Sequence, residues 1–433
     1  MVFIGGNMEY IERYVDEELK NILECMGAVL IVGPKWCGKT TTASQFARTI
    51  IELQHPTLGK SYIELADLDP LLLLDGEKPL LVDEWQMAPE LWDAVRYSVD
   101  KTDGYGLYIL TGSTIVDNSK INHKGVGRIH RLMMRPMSLY ESGDSNGNIS
   151  LIDLFNDKNV KINGITSDLS LRDLTFLASR GGWPETLNIK DKQKQLIVAS
   201  SYFDNICRDD IYNIDGVKRD SKLFEAILRS YSRNISTLVN NKKIMADIEE
   251  NYGKISEPTF YSYISVLKNL FVIDNVSAWT PNIRSKQKMR KSEKKEFIDP
   301  SIAVAGLNVT PKMLMYDLET FGFIFETLCI RDLKVYSAPL GGRVLYYNDG
   351  TLEVDCVLQI ADGRYGLIEF KLGNTRIDEG AESLLKMDKL IKKSIAKGNT
   401  HIPEPSFLAV ITGGQIAKVR KDGVMVIPIG ALR

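Results

Sequence analysis

The chain has 433 residues, enough for two to four domains. Its 44% hydrophobic and 25% charged residues are those of an ordinary globular protein, and a net charge of −2 leaves no global field that would gather nucleic acid or a membrane surface. Five scattered cysteines (Cys25, Cys37, Cys207, Cys329, Cys356) form no C-x-x-C pair, and the four histidines lack ligand spacing, which argues for a reducing compartment and against a disulfide framework or a zinc ribbon.

The acidic start, with Glu9, Glu12, Asp16, Glu17 and Glu18, is wrong for a signal peptide, and no apolar run approaches a membrane span. A cytoplasmic location without membrane contact is expected. Within 8–26, Tyr10, Ile11, Tyr14, Val15, Leu19, Ile22 and Leu23 recur at helical spacing and predict an amphipathic helix. The apolar, β-branched run 28–32 then predicts a buried parallel strand.

The stretch Gly33-Pro34-Lys35-Trp36-Cys37-Gly38-Lys39-Thr40-Thr41 follows at once, with the complete G-x-x-x-x-G-K-[ST] pattern. Successive N–H groups in such a loop curl around phosphate oxygens, and the helix that begins there adds its positive end. Lys39 would reach the β/γ-phosphates and the Thr40 hydroxyl would ligate Mg²⁺, so ATP and Mg²⁺ are the expected cofactors.

A helix from Thr42 and a second strand at Ser61–Glu64 are expected next. The strand at 79–82 ends in Asp83-Glu84. At that place Asp83 can hold the Mg²⁺ shell beside Thr40, and Glu84 can act as general base toward water. The strand at 106–110 ends in Thr111-Gly112-Ser113, where Thr111 or Ser113 could sense the γ-phosphate. A plain strand-ending turn is the alternative. In Gly127–Glu141, Arg128, Arg131 or Arg135 could reach a γ-phosphate in cis or from a neighbouring subunit, which would make the protein a homo-oligomer; a basic strand edge is the other reading.

In this order these motifs, with Arg135-Pro136-Met137-Ser138-Leu139-Tyr140-Glu141 and the later Arg180-Gly181-Gly182-Trp183-Pro184-Glu185, resemble the prokaryotic AAA-type ATPases. The closer likeness is to the subgroup whose C-terminal half was labelled a domain of unknown function. Ser113 stands where many such ATPases carry an Asn. The resemblance implies an ATPase domain with a small helical lid over 1–190.

Helices are expected through 191–290: one from Ala199 to Ile211, one over Lys222–Ser232, one over Lys243–Ile248 and one over Thr259–Asn269. An alternating strand at Phe271–Trp279 completes the layout of a winged helix-turn-helix, with Thr259–Asn269 as the helix offered to a DNA groove. That helix carries few cations. The basic run Arg284, Lys286, Lys288, Arg290, Lys291, Lys294, Lys295 is a candidate phosphate-backbone strip, and a solvated loop is the plainer reading.

Over 291–433 the pattern changes. A helix at Thr320–Asp332 carries Glu326. Strands follow at Arg343–Tyr347, Leu352–Leu358 (with Asp355) and Tyr365–Lys371 (with Glu369 and Lys371 on one face), then a helix at Glu382–Lys397 and a strand at Ser406–Ile411. Two carboxylates and a lysine on adjacent strands can hold Mg²⁺, on Asp355 and Glu369, and position a hydroxide for attack on a phosphodiester. This set resembles the PD-(D/E)xK nuclease fold, with Val354 where a proline usually stands.

The fold class expected is therefore α/β: an AAA-type P-loop NTPase with a parallel sheet, an all-α winged-helix domain, and an α/β restriction-endonuclease-like domain. The function expected is ATP hydrolysis directed at DNA. The alternative is an ATP-dependent switch or scaffold for protein partners, with an inactive nuclease-like domain.

Overall fold

The structure, a computed structural model, describes residues 2–4, 7–113, 127–157, 160–208, 219–281 and 292–433. It divides into two compact units. The first comprises Met1–Pro136, Arg208–Arg219 and Ser262–Val272, and the second comprises Met137–Cys207, Asp220–Tyr261 and Ile273–Arg433.

The first unit runs β1 (Val2–Ile4), β2 (Asn7–Glu9), α1 (Tyr14–Leu23), β3 (Ala28–Val32), α2 (Lys39–Phe46), β4 (Thr49–Glu52), α3 (Gly59–Leu68), α4 (Pro70–Leu73), β5 (Leu80–Asp83), α5 (Glu90–Lys101), β6 (Tyr108–Gly112) and β7 (Ile129–Met133). Its five-stranded parallel sheet has the order β4-β5-β6-β3-β7. Central strands must bury both faces, and here alternate residues do so. Ala28, Leu30, Leu80, Val82 and Leu110 pack with Trp92 and Val95 of α5, while Val29, Ile31, Leu81 and Ile109 pack with Val15, Leu19 and Ile22 of α1. The strand expected at Ser61–Glu64 is helix α3 instead, and the outer strand is Thr49–Glu52. Tyr62, Ile63, Leu65 and Ala66 give a helical face that a four-residue window is too short to show.

The second unit carries α6 (Leu151–Asn156), α7 (Leu171–Arg180), α8 (Lys192–Arg208), α9 (Ser221–Arg233), α10 (Asn241–Asn251), α11 (Glu257–Asn269), β8 (Ser277–Ala278), α12 (Pro300–Leu307), α13 (Pro311–Tyr316), α14 (Leu318–Tyr336), β9 (Arg343–Asn348), β10 (Glu353–Gln359), β11 (Tyr365–Lys371), α15 (Ile377–Ala396), β12 (Leu408–Thr412), β13 (Lys418–Val419) and β14 (Met425–Pro428); the ends of α8 and α11 fall in the first unit. Its sheet has the order β13-β14-β12-β11-β10-β9-β8. β9, β10 and β11 form an antiparallel meander, and β12 then returns parallel to β11 by way of α15. Ile377, Ala381, Leu384, Met387 and Ile391 of α15 close one face over Val357, Leu367 and Val410.

One expectation changes here. The strand expected at Phe271–Trp279 reduces to isolated bridges (Ile273–Phe297, Val276–Lys294) and to β8, which joins β9 as the edge of this sheet. A wing is thus not formed as expected. Within the expected 1–190 domain, residues 137–190 group with the second unit: Ile149 bridges Leu432, and the Leu139 N–H donates to Asp332 Oδ2 at 3.1 Å. Among the described residues no helix is long and apolar enough to cross a membrane.

Candidate functional site

The loop after β3 is shaped by backbone conformations that side chains resist. Gly33 lies at φ +156° and Gly38 at φ +100°. A Cβ on Gly33 would fall 2.1 Å from the Met134 carbonyl oxygen. Trp36 holds φ +65° and is 45% exposed, and Cys37 is buried with Sγ 3.7 Å from that same oxygen. Lys39, the first residue of α2, folds its ammonium back onto the Gly33 and Pro34 carbonyls, at 3.1 and 2.9 Å. Lys35 is half-buried, and Thr41 lies in the first turn of α2.

The parallel register brings the ends of β3, β5 and β6 to one edge. There the Thr40 hydroxyl donates to Asp83 Oδ1 at 2.6 Å, and the Thr111 hydroxyl donates to the same oxygen at 2.5 Å. Glu84 follows at φ +55°, an unusual conformation for a residue with a side chain, and its N–H donates to Thr111 Oγ1 at 3.1 Å. Its Oε2 accepts from Ser113 Oγ at 3.1 Å and from Gln86 Nε2. Lys39, Thr40, Asp83, Glu84 and Ser113 are thus brought together.

These residues fit a nucleotide and its Mg²⁺. Glycine at 33 lets the loop pass the Met134 carbonyl where a Cβ would collide, and Thr40 with Asp83 supply hard oxygens from two sides, the usual small protein share of such an ion's shell.

Two candidate arginines are placed elsewhere. Arg128 precedes β7 at the opposite end of the sheet, where its Nε is paired to Asp100 Oδ1 at 2.7 Å. Arg131 pairs in register with Leu30 in mid-strand, with its side chain exposed. Neither reaches the loop within its own chain. Arg135 sits at the phosphate end of β7, and its carbonyl accepts from Arg13 Nη2 at 2.9 Å. Sequence reasoning missed Arg13, whose Nη1 also donates to the Cys37 carbonyl at 3.0 Å and so braces the loop from α1. It left Gln86 without a role as well. No spacing rule reveals either residue.

A second cluster lies in the other unit. β10 carries a bulge between Val354 and Val357, and Asp355 sits in it. The Asp355 N–H donates to Glu369 Oε1 at 3.3 Å, and the Phe370 N–H donates to Asp355 Oδ2 at 3.0 Å. Lys371 Nζ spans the two carboxylates, at 2.6 Å from Glu369 and 3.2 Å from Asp355. Glu326 on α14 is bound by Lys294 Nζ at 2.5 Å, and the same ammonium lies 3.4 Å from the Asp355 carbonyl.

Burial pushes Glu369 well up, the Asp355 charge adding to it. Burial would lower Lys294 and Lys371, but the carboxylates around them outweigh it and hold both protonated. Asp355, Glu369, Lys371 and Glu326 therefore assemble as the sequence suggests. They do not fit Mg²⁺ in this arrangement, because ammonium groups already occupy the carboxylate oxygens. Among the described residues no group of three or more Asp, Glu, His or Cys is arranged to hold a metal ion.

A cleft of about 730 Å³ opens in the same unit past the ends of β11 and β12, lined by Asn374, Asp378, Gly414, Gln415, Lys418 and Arg420 among others. Of the basic run, Lys294 and Lys295 are buried rather than solvated, and Arg284, Lys286, Lys288, Arg290 and Lys291 lie outside the described residues. The exposed face of α11 offers Tyr261 and little positive charge.

Three family models match the chain: an AAA domain over residues 26–143, and domains of unknown function over 171–313 (DUF8612) and 321–432 (DUF4143). An uncharacterized protein of Haemophilus influenzae is 27% identical over 228 residues, which is 49% of this chain and 56% of that protein. The chain thus spans little more than half the length of the curated relative it matches. Among solved structures, a Walker-type ATPase of Pyrococcus abyssi is 15% identical at TM-score 0.40, over 67% of this chain and 94% of that one. A signal-transduction ATPase with a tetratricopeptide repeat sensor from Pyrococcus horikoshii is 15% identical at TM-score 0.24, over 77% and 48%. Residues 26–143 thus match an AAA domain, and the glycine loop and strand-end carboxylates within that stretch have the arrangement of a P-loop nucleotide site.

Proposed function

We propose that the protein binds and hydrolyses ATP in its first unit and uses that cycle to act on DNA through a nuclease-like C-terminal domain. The observation that carries the first half is the junction of Thr40, Asp83 and Thr111 beside Glu84, at the mouth of the glycine loop. Bound Mg²⁺ would neutralise phosphate charge there, held by Thr40 and Asp83. Lys39 would leave the Gly33 and Pro34 carbonyls for the γ-phosphate. Glu84 would accept the proton of the attacking water, with Ser113 and Gln86 fixing the direction of its carboxylate. An arginine from a neighbouring copy would complete the charge, and Arg135 is the candidate at the phosphate end.

Support for the second half is topological. The succession α14, β9, β10, β11, α15, β12, with β12 parallel to β11, is the helix–meander–helix–strand order that the PD-(D/E)xK resemblance implies, and the resembling residues meet in it. In this reading the ATP site within the expected 1–190 domain, carried by Met1–Pro136, powers the cycle, 191–290 carry the helices that approach DNA, and 291–433 hold it.

The test compares wild type, Lys39→Ala and Glu369→Ala for ATP turnover, and for Mg²⁺-dependent cleavage and salt-dependent binding of labelled DNA. ATP turnover lost in Lys39→Ala, with DNA binding that weakens steeply with salt, is expected. ATP turnover without any DNA binding would leave the switch-or-scaffold alternative standing.

A further inference from the structure

Lys294 does not belong to the helix–meander–helix–strand core. It arrives on a separate segment, fixed by paired backbone hydrogen bonds to Val276 (2.9 and 3.1 Å), and sends its side chain in until only 1% of it is exposed. An ammonium buried this deeply is tolerated only where charge meets it. Here the Glu326 carboxylate at 2.5 Å and the Asp355 carbonyl meet it, and Glu296, fully buried and close by in the chain, adds to the field. With Lys371 on Asp355 and Glu369, two ammonium groups share three carboxylates that a hydrolytic site would present to divalent ions.

We propose that Lys294 is the resident cation of this site, standing between Glu326 and Asp355 where a divalent ion would otherwise be held, so that the C-terminal domain engages a polynucleotide without hydrolysing it. The inference rests on the nuclease-like reading of the domain. It says why that domain keeps its carboxylates: they hold a lysine that locks the segment at 292–296 onto α14 and β10. Mg²⁺ would need oxygens at roughly 2.1 Å in an octahedral shell, and the Lys294 ammonium, donating to Glu326 Oε1 and to the Asp355 backbone carbonyl while Lys371 holds the Asp355 carboxylate, excludes it.

The test is Mn²⁺ uptake by the full chain without nucleotide, read by electron paramagnetic resonance, in an Asp83→Asn background that removes the P-loop ion. That background is expected to take up no Mn²⁺ at tens of micromolar. Adding Lys294→Met leaves Glu326 buried and unpaired, and is expected to create one Mn²⁺ site at least about tenfold tighter, the scale on which neighbours of a metal site tune affinity. Adding Glu326→Gln to that variant should abolish the new site. Uptake in the Asp83→Asn background that Asp355→Asn removes would overturn the inference, as would a folded Lys294→Met chain that gains nothing.

Should Lys294→Met fail to fold, wild type itself decides. DNA cleavage in Mg²⁺ or Mn²⁺ that Asp355→Asn abolishes would refute the proposal, and intact DNA supports it. A gain of Mn²⁺ in a chain that binds no DNA would uphold the resident lysine and sink only the DNA reading.

Discussion

At the residue scale the catalytic proposal turns on one carboxylate. Glu84 Oε2 is shared by Ser113 and Gln86, so both are positioning residues for the general base. Ser113→Ala or Gln86→Ala should lower kcat for ATP about tenfold with KM nearly unchanged, since neither touches the phosphate cradle, and Glu84→Gln should cost about a hundredfold. Steady-state hydrolysis checks this, and a rise in KM instead would place them in nucleotide binding. Glu296 makes a prediction of another kind. Burial pushes its carboxyl up to about 7 against the pull of Lys294, Thr327 and Ser236. A carboxyl whose folded pKa is raised favours the fold most below its unfolded pKa. Relative to Glu296→Gln, wild type should therefore lose stability, by roughly 3 kcal/mol, as pH rises from 4.5 to 7, and stay level above that. Denaturant melts of the two proteins at several pH values would show the converging or parallel curves. The sequence exposed Glu84 through its place after a strand. It hid the roles of Arg13 and Lys294, because their partners come from elements that only folding brings near, while Gln86 bonds Glu84 only two residues away, a contact that no spacing rule announces.

At the element scale, what could be read ahead was what has a period or a fixed spacing. β3, β5 and β6 announced themselves as continuous apolar runs, and the β9–β10–β11 meander showed through its hairpin at Asp349-Gly350 and its alternation. The bulge that aims Asp355 could not be foreseen, since an extra residue in a strand looks like any other residue until its partner is known. The Gly181-Gly182 turn after α7 was visible, but not its purpose. Asp299 Oδ2 accepts the Gly182 N–H at 2.9 Å and pairs with Arg331 Nη1 at 3.0 Å, while Arg331 Nη2 reaches Asp332 Oδ1 at 2.7 Å. Arg331 is 3% exposed, and its two aspartates are fully buried. Arg331→Met should therefore cost about 3–5 kcal/mol by leaving two carboxylates unpaired, whereas Arg331→Met with Asp299→Asn and Asp332→Asn should recover most of it. Chemical denaturation of the second unit measures both, and additive losses would refute the account.

At the scale of the whole molecule the sequence suggested three consecutive domains, and the folded chain groups into two units, neither of them one contiguous stretch. Contiguous motifs cannot report this, because the 137–190 stretch is assigned by partners such as Leu432 and Asp332, far along the chain. The division bears on how ATP could do work. A nucleotide that binds only the folded loop stabilises it by about 2.7 kcal/mol at a concentration roughly a hundred times its Kd. In hydrogen exchange, a slowly hydrolysed ATP analogue should therefore protect 33–42, 83–86 and 111–113 in wild type, and none of these in Lys39→Ala. If the cycle drives the C-terminal domain, exchange should change as well at 137–190 and at 292–296, segments that belong to the second unit although the first of them begins within the stretch that matches the AAA domain. Protection confined to the first unit would mean that the ATPase and the lysine-filled carboxylate site act independently. It would leave the ATP-driven reading with no physical route to the DNA.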